Sequence, residues 1–210
     1  MPEALSPQPR WRLPKQARSR DRFDRILDAA AELFAEVGYN SVTADEIAAR
    51  ADTSVGGLYR FFPDKLAVFQ ALVDRYQHQL RDLFAALHTE ETARLPLDLY
   101  IGQVVDGFDQ FVSANRAFQT VFVQSRLVST EILAMDSAFN QEIAQQLSVF
   151  FAARNPALDP HQSALLATVT VEAASALELL SLTRDRAFQT QVLMETKKLL
   201  IAYLQPYFPD

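Results

Sequence analysis

Residues Thr43 to Lys65 read TADEIAARADTSVGGLYRFFPDK. Thr43 can accept a hydrogen bond from the free amides of a starting helix, and Glu46 three residues on can return one, which makes a capping box. A short helix therefore starts here, with Ile47, Ala48 and Ala51 as a narrow apolar stripe. Asp52 stands where the chain must leave that helix, at a position that favours Gly but tolerates Asp or Asn. Two residues later Ser54 caps a second helix. Two helices joined by a turn of about 3–4 residues form a helix-turn-helix, whose second member lies in a DNA major groove.

The second helix opens with Val55, Gly56 and Gly57. Each Gly weakens a helix by about 1 kcal/mol relative to Ala, so a compensating gain is expected. Close approach of backbone to a partner supplies one. Phosphate and base edges are one such partner, and a neighbouring helix is another. Leu58 and Phe62, four residues apart, share a face that packs inward, while Tyr59 and Arg60 point out. Pro63 suits the first turn of the helix that follows.

These residues resemble the DNA-binding signature of the TetR family of bacterial transcriptional regulators. Matching positions are Thr43, Ile47, Ala48, Ala51, Ser54, Gly56, Leu58, Tyr59, Phe62 and Lys65, preceded by a Gly38-Tyr39 turn. The resemblance extends over residues 20–66. Asp52 departs from the family's usual Gly and adds negative charge near the DNA face; Phe61 departs from a frequent Tyr or His.

Charge distribution matters more than the net −6. Up to residue 70 there are ten Lys/Arg and ten Asp/Glu, so the acidic excess lies beyond. Residues 10–25 carry Arg10, Arg12, Lys15, Arg18, Arg20, Arg22 and Arg25 against Asp21 and Asp24. Such a patch is either a solvated basic tail or a surface for an anionic partner, and the adjoining helix-turn-helix favours DNA. Apolar residues make up 49% of the chain, enough for a core. Few glycines and long runs between prolines predict an all-α fold. No run approaches 18 uninterrupted apolar residues, so no membrane span is expected. The absence of cysteine removes disulfides and thiolate metal sites and fits a cytoplasmic setting.

Along the chain, residues 1–17 with Pro2, Pro7, Pro9 and Pro14 read as a flexible basic arm. Phe23, Ile26, Leu27, Ala30, Leu33, Phe34 and Val37 predict a helix over about 20–37 that ends at Gly38. Apolar positions from Leu66 to Leu87 predict a long helix from Pro63 to about His88, with Lys65 in its first turn placed to meet a phosphate. Further helices are expected over 97–113, 117–124, 129–155, 159–183 and 186–207. Between Ala164 and Leu182 the eighth helix is apolar or small nearly all round, so it needs cover on more than one side. The expected organisation is an arm (1–17), a three-helix DNA-binding domain (18–65) and a helical ligand-binding and dimerisation domain (66–210).

No P-loop, G-x-S-x-G or G-x-G-x-x-G occurs, and His78, His88 and His161 have no metal-ligand spacing, so neither catalysis, a metal nor a cofactor is expected. The resemblance implies a homodimer through the last two helices on double-stranded operator DNA. Thr43, Tyr59, Arg60 and Lys65 are expected on phosphates, with Ser54, Val55 and Gly57 nearest the bases and Arg18 and Arg20 at the arm. It also implies a small-molecule effector in a cavity between the central helices. Gln103, Phe108, Phe111, Phe122, Gln124, Phe139 and Glu172 are the residues expected there, although core packing is the ordinary explanation for each Phe. Glu172 is paired, at the rim of the subunit contact or lining that cavity. Control by a protein partner, or no ligand, is the competing reading.

Overall fold

The computed structural model describes residues 10–208. The fold is all-α. Among the described residues there are nine helices and no strand: α1 (Ala17–Val37), α2 (Ala44–Arg50), α3 (Val55–Tyr59), α4 (Lys65–Leu87), α5 (Leu97–Ala114), α6 (Arg116–Val128), α7 (Thr130–Arg154), α8 (Pro160–Ser181) and α9 (Arg186–Leu204). Short 3-10 turns at Tyr39–Ser41 and Thr92–Arg94 precede α2 and α5.

The chain divides into two compact units, one made of the chain up to Tyr76 with Arg116–Val128, the other of Gln77–Asn115 with Ser129 onward. The division therefore falls inside α4, eleven residues beyond the boundary expected at 65/66, and the first unit also takes in α6. Phe118 and Val121 explain this membership. Both are buried, and the Phe118 ring meets Tyr76 edge-on at 5.3 Å while α6 packs along α1.

In the first unit Ile26, Phe34, Ile47, Leu58, Phe62 and Phe69 are wholly buried. Each such side chain contributes roughly 1.5–3 kcal/mol through loss of apolar surface from water. Phe23 stacks on Phe62 at 4.9 Å and meets Phe61 edge-on at 5.8 Å, which ties α1 to the end of the helix-turn-helix. Phe61 thus serves the core.

The second unit packs Leu97, Tyr100, Leu147, Phe151, Leu166 and Leu204 into one cluster. Arg154 closes the end of α7 by donating to the carbonyls of Ala93 (3.2 Å) and Leu95 (2.6 Å). By length and composition α8 is apolar enough to cross a membrane. Here α7 and α9 cover it, and Leu165, Val169 and Leu180 remain exposed.

Candidate nucleic-acid interface

The capping box at α2 is complete. The Thr43 N–H donates to Glu46 Oε2 at 2.7 Å, and the Glu46 N–H donates to Thr43 Oγ1 at 3.3 Å. The Thr43 hydroxyl also donates to Glu46 Oε2 at 2.8 Å, and this bond, together with that from the Thr43 N–H, holds the Glu46 carboxyl below the usual carboxylate range. Asp52 then turns the chain with φ 49°, the left-handed conformation that Gly adopts more readily. Its side chain is 99% exposed and lies 3.9 Å from Arg25, which offsets the negative charge beside the helix-turn-helix. Ser54 Oγ accepts the Gly57 N–H at 3.1 Å and starts α3.

Five residues form α3, and with the capping Ser54 and Arg60 on either side they divide sharply. Leu58 is wholly buried, whereas Ser54, Gly56, Tyr59 and Arg60 are exposed and Val55 and Gly57 half-buried. The two glycines differ in their surroundings. A Cβ on Gly57 would lie 2.6 Å from Thr53 Oγ1, so Thr53 must shift before a side chain fits there. A Cβ on Gly56 meets nothing within 4 Å among the described residues, so packing within them does not require glycine there.

Lys65 is tied inward. Its Nζ donates to the carbonyls of Tyr39 (2.8 Å) and Val42 (2.7 Å) and lies 4.4 Å from the centre of the Tyr39 ring. Burial pushes its pKa down, and the Glu46 charge partly opposes this. Two of its three N–H groups are committed to the turn that leads into Thr43. Arg50 is likewise engaged, by Glu36 at 3.1 Å and Glu32 at 3.2 Å.

The arm expected over residues 1–17 lies outside the described residues up to residue 9. From Arg10 it is fastened. Arg10 Nη2 meets Asp64 Oδ2 at 2.7 Å, and the Arg12 N–H donates to the Phe61 carbonyl at 2.9 Å. Asp64 also caps α4 by accepting the Ala67 N–H at 2.8 Å. An Asp directly before an apolar helical run is a readable cap signal, masked here by the adjacent Pro63. Arg12, Lys15, Arg18 and Arg20 are exposed, with Arg20 Nε donating to the Pro14 carbonyl at 3.4 Å.

The residues expected around an effector fall in both units. Phe122 stacks on Phe118 at 5.4 Å within the first unit, and Gln124 there accepts the Tyr39 N–H at 3.0 Å. In the second unit Phe108 and Phe111 form a half-buried pair on α5 at 6.3 Å. The Arg81 guanidinium covers the Phe139 ring at 5.2 Å, and exposed Glu172 accepts from Asn140 Nδ2 at 3.3 Å. Gln103 is exposed in an open groove of about 470 Å³ with Leu87, Leu99, Gly102 and Gly107. The carboxyl that α8 does bury is Glu178, six residues beyond Glu172.

The family model described as bacterial regulatory proteins, tetR family, matches residues 26–72, and a tetracyclin repressor-like C-terminal domain matches residues 96–204. The chain is 41% identical over 56 residues to the HTH-type transcriptional repressor KstR of Mycolicibacterium smegmatis, a match that covers 27% of this chain and 28% of that one. Over 158 residues it is 27% identical to the HTH-type transcriptional activator FasR of the same organism, covering 74% and 68% of the two chains. A TetR-family transcriptional regulator from Streptomyces coelicolor superposes with a TM-score of 0.62 and 25% identity, over 89% of this chain and 99% of that one. The capped helix pair lies within the first matched stretch and the helices from α5 to α9 within the second; the chain belongs to the TetR family of DNA-binding transcriptional regulators.

Proposed function

We propose that the chain is a homodimeric, cytoplasmic repressor that grips a palindromic operator with α2 and α3 of each subunit and is released by a small hydrophobic or amphipathic molecule. The division of α3 supports the DNA part most strongly, because a helix that buries Leu58 and exposes Gly56, Tyr59 and Arg60 offers backbone, hydroxyl and guanidinium to one outside partner. In this reading Tyr59, Arg60 and Thr43 hold phosphates, and the remaining N–H of Lys65 joins them. Ser54, Val55 and Gly57 lie nearest the bases, while Arg18 and Arg20 extend the basic surface from the start of α1. Phosphate contacts position the protein and base contacts select the sequence.

Leu165, Val169 and Leu180 on α8 and Met194 and Leu199 on α9 are exposed in the single chain. A two-fold contact through these helices would cover them. The groove beside Gln103 and the half-buried Phe108–Phe111 pair support a small-molecule effector, since ligand sites are concave and largely apolar. KstR is named a repressor and FasR an activator, so the sign of regulation is part of the proposal. Selecting genomic fragments on the purified protein, then placing the selected operator before a reporter, tests the reading. Repression that a hydrophobic or amphipathic compound relieves supports it; activation, or indifference to every such compound, contradicts that part.

A further inference from the structure

α6 follows α5 in the chain but packs in the unit that holds the helix-turn-helix. From it Gln124 reaches back 85 residues, where its Oε1 accepts the main-chain N–H of Tyr39 at 3.0 Å. Its Nε2 lies 3.4 Å from where a Cβ on Gly38 would stand, and Gly38 has φ 80°. The amide thus lies across a left-handed glycine and the N–H that follows it. In the same peptide segment, Lys65 of α4 donates to the Tyr39 carbonyl at 2.8 Å and the Val42 carbonyl at 2.7 Å. The Tyr39 ring completes the hold by packing on Phe69 at 5.0 Å and Phe34 at 5.5 Å. Four residues after Tyr39 comes Thr43, the cap of α2.

We propose that Gln124 is a positioning residue for DNA binding: α6 and α4 grip Tyr39 from its two ends, through Gln124 and Lys65, and so fix where α2, and with it α3, begins. Gln124 would act there without any contact with DNA. The inference rests on the reading that the α2–α3 face binds the operator.

The test uses the full chain on its selected operator, followed by fluorescence anisotropy over a salt series, with thermal melting to establish the folded fraction. Gln124→Ala weakens operator binding roughly five- to tenfold, the effect of one partly buried hydrogen bond. The slope of log affinity against log salt stays unchanged, because no phosphate contact is lost. Gln124→Glu, which keeps an acceptor oxygen, binds within about twofold of the parent, and in a Lys65→Met background Gln124→Ala costs less than about threefold because the grip is already open. Equal binding by Gln124→Ala and the parent, equal loss in Gln124→Glu and Gln124→Ala, or full additivity with Lys65→Met overturns the proposal. Amide exchange on the parent is an independent check: the Tyr39 N–H is protected, and exchange at an open-loop rate contradicts the bond. A parent protein that holds no duplex at all refutes the DNA reading itself, and this inference falls with it.

Discussion

The ammonium of Lys65 sits 2.8 Å from the carbonyl oxygen of Tyr39 and 4.4 Å from the centre of that residue's ring. A cation at the first residue of α4 thereby braces the turn ahead of α2, and one N–H is left for an anion. Both the fold and the proposed interface draw on the same charge.

Replacing Lys65 by Ala should therefore act twice. The protein loses about 1–3 kcal/mol of stability with the charge-assisted hydrogen bonds, and DNA affinity falls alike for all sequences, with the salt slope smaller by about one unit. Chemical denaturation and anisotropy titrations separate the two effects. An unchanged slope beside lost affinity would assign Lys65 to the turn alone.

Gly56 and Gly57 should respond in opposite ways to a methyl group. Gly56→Ala meets open space and gains about 1 kcal/mol of stability from helix propensity, yet it weakens operator binding if backbone approaches DNA there. Gly57→Ala forces the Cβ against Thr53 Oγ1 and destabilises the protein before DNA is added. Melting temperatures with and without operator distinguish these outcomes; a Gly56→Ala protein that binds as tightly as the parent would remove Gly56 from the interface.

Local chemistry made much of this legible in the sequence. The Thr43–Glu46 box, the Ser54 cap, the turn at Asp52 and the inward pair Leu58 and Phe62 are all as their residue types and spacing predict. Pairings between distant segments were not legible. A Gln on an apolar helix signals a buried or half-buried amide, but nothing near Gln124 names Tyr39 as its partner. For the same reason Arg10 and Asp64 could not be paired, nor α6 assigned to the first unit. On α8 the apolar residues run nearly all round, so periodicity selects no face. Glu172 and Glu178 then look equivalent, although only Glu178 is buried.

Two groups of the second unit, buried Glu178 and half-buried His88, should give stability opposing pH slopes. Burial, and then the charge of Asp109, raises Glu178 from 4.5 to about 7, while Arg186 pulls it down. Its contribution is full below pH 4.5 and is lost as pH rises through 7. Burial against Phe84, Tyr100 and Phe150 lowers His88 from 6.5 to about 4. That contribution is full above pH 6.5 and is lost as pH falls through 4. Between pH 4.5 and 6.5 the slopes cancel. Glu178→Gln should leave stability rising through this range, and His88→Phe should leave it falling, each by up to about 3 kcal/mol. Denaturant melts across this pH range measure both; flat profiles in both variants would contradict the assignment.

Val169→Asp places a charge at a residue 39% exposed, beside the exposed Leu165 of α8. It should convert a dimer to a folded monomer in sedimentation equilibrium and weaken operator binding at least tenfold, since each subunit then engages one half-site alone. A dimer that survives this change would move the subunit contact away from that face.

Footprinting the purified protein on a selected genomic operator tests most directly the claim that paired α2–α3 units bind a duplex. Two protected half-sites should appear, about one helical turn of 34–36 Å apart, and both should vanish together in Arg60→Ala combined with Tyr59→Ala. Protection of no double-stranded sequence by the parent protein even in dilute salt, or undiminished protection by the double variant, would contradict it.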